Sequence, residues 1–109
     1  MSTLNRREKI EAMLVEQPED TFLRYSLAME LQKEGRYDES QARFRDLMDG
    51  TPAYVPAFFM SAKQWMEQGR VAEARAALRD GIEEARRQGD HHAASEMGEL
   101  LAALGHAEA

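Results

Sequence analysis

Cysteine is absent from the 109 residues, which excludes a disulfide framework, a thiolate metal site and a cysteine nucleophile. Long apolar runs are missing as well. Arg6, Arg7, Glu8 and Lys9 precede only a short apolar stretch, which is neither a secretory leader nor a span of about 20 apolar residues. A soluble, cytoplasmic protein without a membrane partner is the expectation. Cations are in the minority, with 14 Lys and Arg against 20 Asp and Glu and a formal net charge of −6. Nucleic-acid affinity rests on clustered cations, so a phosphate backbone is not the expected partner. The basic pairs Arg6-Arg7 and Arg86-Arg87 read as solvated helix faces.

Strand alternation is also lacking, so no glycine-rich loop follows a strand to cradle a phosphate. Catalytic pairings fare no better. Glu19-Asp20 and Glu83-Glu84 are sequence neighbours that diverge by about 100° on a helix, unlike a dyad sharing one substrate. His91 and His92 diverge in the same way and lack the four-residue spacing useful for zinc, and His106 stands apart near the end of the sequence. No serine, histidine and aspartate set can be nominated. The expectation is therefore no catalytic residue, no metal and no cofactor: a protein that is not an enzyme.

What the chain does have is a period of 34 residues. Pro18, Ala28, Gly35, Arg36, Glu39, Ala42, Arg45 and Asp46 return as Pro52, Ala62, Gly69, Arg70, Glu73, Ala76, Arg79 and Asp80. Apolar bulk recurs between them, with Tyr25 matched to Phe59, Leu31 to Trp65, Phe44 to Leu78 and Met48 to Ile82. A third copy is begun by Met97-Gly98, Leu101 and Gly105-His106 once two residues are inserted near Gln88-Gly89. A fixed period of this size marks a repeat architecture, in which each unit stacks on its neighbour.

Start and stop signals divide the sequence into about six helices. The first spans about Asn5 to Glu16, with Asn5 and Glu8 at capping-box spacing, Ile10, Met13, Leu14 and Gln17 on one stripe, and Pro18 closing it. The second runs from about Thr21 to Glu34, capped by Asp20 and ended by Gly35. Asp38 is the expected cap of the third, which ends near Gly50. The fourth covers about Tyr54 to Gln68 and accommodates Pro56 in its first turn. The fifth covers about Ala72 to Gln88, and the sixth starts at the cap Asp90 and ends at Gly105. Gly81 lies inside the fifth helix, where glycine costs about 1 kcal/mol relative to alanine, and it marks a close helix crossing. On the second helix Leu27, Ala28 and Leu31 form one apolar side, Phe22, Tyr25 and Met29 extend it, and Ser26, Glu30 and Lys33 form a polar strip. So broad an arc touches protein on two sides or presents one side to a partner.

A helix–turn–helix unit of this length with Leu27-Ala28, Leu31, Gly35, Tyr37, Phe44 and Pro52, followed by Phe58, Ser61-Ala62, Trp65, Gly69, Ala74, Leu78 and Ile82, resembles the tetratricopeptide repeat. Arg24 stands where the family has an aromatic, Ser40 where it has alanine and Arg86 where it has proline. The resemblance implies an all-α solenoid of antiparallel helix pairs with a right-handed superhelical course. It also implies a single domain over residues 1–109: an N-terminal helix of a degenerate unit (1–18), repeats at 19–52 and 53–88, and a C-terminal capping helix (89–109). In that family the first helices line a concave surface, and this would bring Phe22, Tyr25, Met29 and Lys33 beside Phe59, Lys63 and Met66. The implied function is to bind another protein, as a peptide or helix, in an apolar groove. Relatives that clamp the acidic tails of heat-shock chaperones use Lys, Asn and Arg where this chain has Tyr25, Met29, Met60, His92 and Glu96, so such a tail is not the expected ligand. The rival reading is structural. The same residues are covered by the chain itself or by a second copy, with Leu100, Ala102 and Ala103 suiting a homodimer through the C-terminal end.

Overall fold

The computed structural model describes residues 3–107, with side chains described through Gly105. These residues form six helices and no strand. The chain divides into two compact units, one up to Gly50 and one from Thr51 onward.

The first unit holds α1 (Arg6–Glu16), α2 (Thr21–Lys33) and α3 (Tyr37–Met48). Every helix start leaves four backbone N–H groups without an intrahelical acceptor, and at the expected caps side chains accept from two of them in α1 and one in α2. Glu8 N–H donates to Asn5 Oδ1 at 2.8 Å while Asn5 N–H donates to Glu8 Oε1 at 2.9 Å, and Leu23 N–H donates to Asp20 Oδ1 at 2.9 Å. Burial then selects one side of each helix. Ile10 packs with Leu27 and Leu31, and Leu14 packs against that cluster half-buried. Met13 and Gln17, expected on the same stripe as Ile10, are exposed. On the other side of α2, Ser40 of α3 donates its hydroxyl to the Ala28 carbonyl at 2.7 Å. Tyr25 meets the fully buried Phe44 there, with ring centroids 6.1 Å apart and planes at 57°.

The second unit holds α4 (Val55–Glu67), α5 (Val71–Arg87) and α6 (His91–Ala107). Helix α5 packs against α4 and against α6. Its inward residues Ala74, Leu78, Gly81, Ile82 and Ala85 are buried, as are Phe58 and Ala62 of α4 and Met97 and Leu104 of α6. Gly81 makes the close approach possible: a methyl group built there would lie 2.6 Å from both Phe58 Cβ and Met97 Sδ. Gln88 Nε2 donates to the Ala53 carbonyl at 2.8 Å, tying the end of α5 to the segment before α4.

The recurring Gly-Arg is explained by the turns. Gly35 and Gly69 have φ of 77° and 73°, a region that side chains with a Cβ rarely adopt. In the first turn Gly35 N–H donates to Gln32 O at 3.0 Å and Arg36 N–H to Leu31 O at 2.9 Å. In the second, Gly69 N–H donates to Met66 O at 2.9 Å and Arg70 N–H to Trp65 O at 2.8 Å. This is the Schellman arrangement, which satisfies carbonyls that a helix end would otherwise leave unbonded. The third turn repeats it, with Gly89 N–H on Arg86 O and Asp90 N–H on Ala85 O. The arginines also hold the next helix start: Arg36 pairs with Glu39 at 2.8 Å and Arg70 with Glu73.

Two boundaries differ from the sequence expectation. Asp38 does not cap α3. The helix starts two residues earlier, at Tyr37, with Arg36 in the cap position and no side-chain cap, because the Schellman turn delivers the chain directly into the next helix. Asp38 and Glu39 fall in the first turn instead, where carboxylates suit the helix dipole. Helix α6 continues through Gly105 to Ala107, and Gly105 does not take the left-handed conformation of Gly35, Gly69 and Gly89.

Candidate functional site

The seven residues expected to contact a partner fall on α2 and α4. Phe22 begins the α2 set and is 71% exposed. Tyr25 is half-buried, held through its ring contact with Phe44, and Met29 is also half-buried. Lys33 is exposed, but its ammonium lies 3.2 Å from Glu30 Oε2. Glu30 therefore leaves the polar strip. It is buried to 9% exposure between Lys33 and Arg6 Nε, the latter 3.5 Å from the same carboxylate oxygen. The position 34 residues later, Gln64, is likewise polar and buried. In the α4 set Phe59 and Met66 are half-buried, and Lys63 Nζ sits 4.6 Å from the centroid of Phe59. That is a cation–π contact within one helix, so both lysines already have an intramolecular partner.

The residues weighed for catalysis or metal binding are placed otherwise. Asp20 caps α2, and Glu83 and Glu84 both reach Arg87, at 3.2 and 2.8 Å. His91 is exposed, and His92 Nε2 lies 3.0 Å from Glu96 Oε1. The His106 side chain falls outside those described. Among the described residues no group of three or more His, Asp or Glu side chains is gathered as metal ligands, and no helix is long and apolar enough to cross a membrane.

Three groups in ion pairs near helix ends have shifted pKa values. Hydrogen bonding to Glu34 raises the pKa of Arg7, whose Nε lies 2.9 Å from Glu34 Oε1, and hydrogen bonding to Glu39 raises that of Arg36. The Glu73 carboxyl is held below its usual range by a hydrogen bond with its own backbone and by Arg70. These contacts fasten turns and helix pairs.

A feature absent from the expected site is a cleft of about 330 Å³ in the first unit. Helix α1 contributes Glu11, Leu14 and Val15, and Pro18 follows at its end. Arg24 and Leu27 of α2 and Arg43 of α3 complete the lining. The sequence signal for it is the register departure at Arg24, which corresponds to the buried Phe58 in the second unit.

Paired helices joined by a repeated turn, with apolar side chains left accessible on the first helix of a pair, define a helical repeat protein. The sequence description of the tetratricopeptide repeat matches residues 31–104, and the chain belongs to that family. Among solved structures, a protein from Bordetella parapertussis is similar with a TM-score of 0.80 and 26% identity, covering 97% of this chain and 92% of the other. A tetratricopeptide repeat domain protein from Salinibacter ruber is similar with a TM-score of 0.73 and 31% identity, covering 80% of this chain and 88% of that one. No curated protein matches the chain. The family as a class mediates protein–protein interaction.

Proposed function

We propose that this chain is a non-catalytic, cytoplasmic protein-interaction module, acting as one domain over residues 1–109 and binding a peptide or helix through apolar side chains of α2 and α4. The observation that carries the reading is Phe22. An aromatic ring 71% exposed at the start of a helix, followed on the same arc by the half-buried Tyr25 and Met29, offers contact area that the first unit does not use for its own packing. Phe59 and Met66 offer similar chemistry on α4, and Lys33 and Lys63 supply charge at the edge of each set. Both lysines are engaged internally, so a partner gains from them only by exchanging one contact for another. Affinity therefore rests on the apolar groups.

Affinity capture from native cells with wild type and Phe22→Ser in parallel tests this. At so exposed a position the substitution changes stability by no more than about 0.5 kcal/mol, so loss of a captured protein reports the surface and not the fold. Identical capture by the two forms refutes the reading. The competing reading, self-association, draws on α6, where Ala102 and Ala103 are exposed and Leu100 is half-buried. Sedimentation over about a hundredfold range of concentration, wide enough to span typical weak dimer affinities, separates the two. A monomer throughout removes the dimer.

A further inference from the structure

We infer that the cleft of the first unit is a second binding site, separate from the α2 and α4 faces, and that it takes an acidic amphipathic peptide segment. A carboxylate of that segment pairs with Arg24 and Arg43, and a neighbouring apolar side chain covers Leu14 and Val15. Charge points to this occupant first. Arg6, Arg7 and Arg36 of the same unit each lie within 3.5 Å of a glutamate, whereas Arg24 and Arg43 have no carboxylate partner among the described residues. Two arginines without a carboxylate partner lining one cleft, in a chain of net charge −6, form a local attraction for anions against the sign of the whole molecule. The planar guanidinium fork fits a carboxylate better than any other group a polypeptide carries.

The same cleft has an apolar wall. Leu27 is 2% exposed and forms part of its lining, while Val15 on its wall is 78% exposed. An anion alone would leave the exposed Val15 and the half-buried Leu14 wet, so the occupant joins an acid to a hydrophobe. Glu11, the one acid in the lining, is held by Arg7 at 2.8 Å and does not neutralise the arginines.

The repeat register explains why this arginine is available. In the second unit the bulky Phe58 of α4 comes against the small Gly81 of α5. At the matching positions of the first unit stand Arg24 and Leu47, so bulk has moved from the first helix of the pair to the second, where Leu47 is buried. Position 24, relieved of filling the core, carries a half-buried arginine that lines the cleft, a residue type able to pack its aliphatic stem while its charged head stays in water.

The test is selection of a random displayed peptide library on the wild-type chain, with counter-selection on the Arg24→Gln/Arg43→Glu variant. The expected peptides place Asp or Glu beside an apolar residue. They bind the variant at least about tenfold more weakly in fluorescence anisotropy, a change of about 1.4 kcal/mol. They also shift the backbone amide resonances of Leu14, Val15 and Leu27. Val15→Asp, an exposed substitution that leaves both arginines in place, is expected to weaken the same peptides, and Phe22→Ser is expected to leave them unchanged. Three results overturn the inference: no wild-type-specific peptide, selected peptides without an acid, or peptides lost with Phe22→Ser and retained with Val15→Asp. Self-association abolished by Arg43→Glu would seat a second copy in the cleft and overturn it too.

Discussion

Substitution of Gly81 by alanine sets two physical effects against each other in one helix. Propensity favours alanine in a helix interior by about 1 kcal/mol. Packing opposes it, because the added Cβ would lie 2.6 Å from Phe58 Cβ and from Met97 Sδ, whereas carbon atoms in contact rest at about 3.5–4.0 Å. The shortfall is about 1 Å. Met97 can turn its flexible side chain aside, but Phe58 Cβ is fixed to the α4 backbone, so α4 and α5 must separate. Overpacking of this kind costs about 1–3 kcal/mol, and the expected balance is a net destabilisation of up to about 2 kcal/mol. Gly98 in α6 provides the control, since a Cβ there meets nothing within 4 Å. Gly98→Ala should collect the propensity term alone and stabilise by up to about 1 kcal/mol. Thermal and urea denaturation followed by circular dichroism read both, with each 1 kcal/mol worth about 4–8 °C in a domain of this size. In a double-mutant cycle with Met97→Ala, part of the Gly81→Ala cost should vanish, because only one of the two obstructing atoms is removed. If the two alanine variants move the melting temperature in the same direction, the close-crossing argument is refuted.

Two further outcomes are expected. Ser40→Ala should cost about 0.5–1.5 kcal/mol in urea unfolding, the net worth of a hydrogen bond, because the Ala28 carbonyl keeps its helical donor; a loss above about 3 kcal/mol would show that the hydroxyl does more than this bond. Glu73 should titrate below the ordinary glutamate range in NMR-monitored acid titration, and Arg70→Ala should move it upward. The sign follows from linkage: a depressed carboxylate contributes stability that is present above its unfolded pKa and lost as pH falls through the folded one, so the contribution fades below about pH 4. A Glu73 midpoint unaffected by Arg70→Ala would remove the ion pair from that account.

Those features were legible in the sequence that depend on residues near one another along the chain. The 34-residue return of Gly-Arg anticipates the two Schellman turns, Asn5, Asp20 and Asp90 cap their helices, and Gly81 marks a tight crossing. What escaped depends on a third element. The periodicity of α2 places Glu30 with Lys33 on a polar strip, and only the arrival of Arg6 from α1 gives the carboxylate a reason to be buried. Tyr25 is apolar surface when α2 is read alone and becomes a packed ring once α3 brings Phe44 against it. The cleft takes its lining from α1, α2 and α3 and the link after α1, so no helical wheel contains it, although the mismatch of Arg24 with Phe58 was visible. Burial gives no reason for the recurrence of Ala42, Arg45 and Asp46 as Ala76, Arg79 and Asp80, since all six are exposed.

The three turns closed by main-chain bonds bear on how quickly such a chain finds its shape. Each closure joins an amide to a carbonyl only five residues back, as from Arg36 to Leu31, so little chain entropy is lost in bringing neighbouring helices side by side. Hairpins that assemble from adjacent stretches belong to the fast end of the kinetic scale, because distant segments need not search for one another first. Speed here is a property of the backbone and a few glycines, which leaves the outward-facing side chains at liberty to diverge.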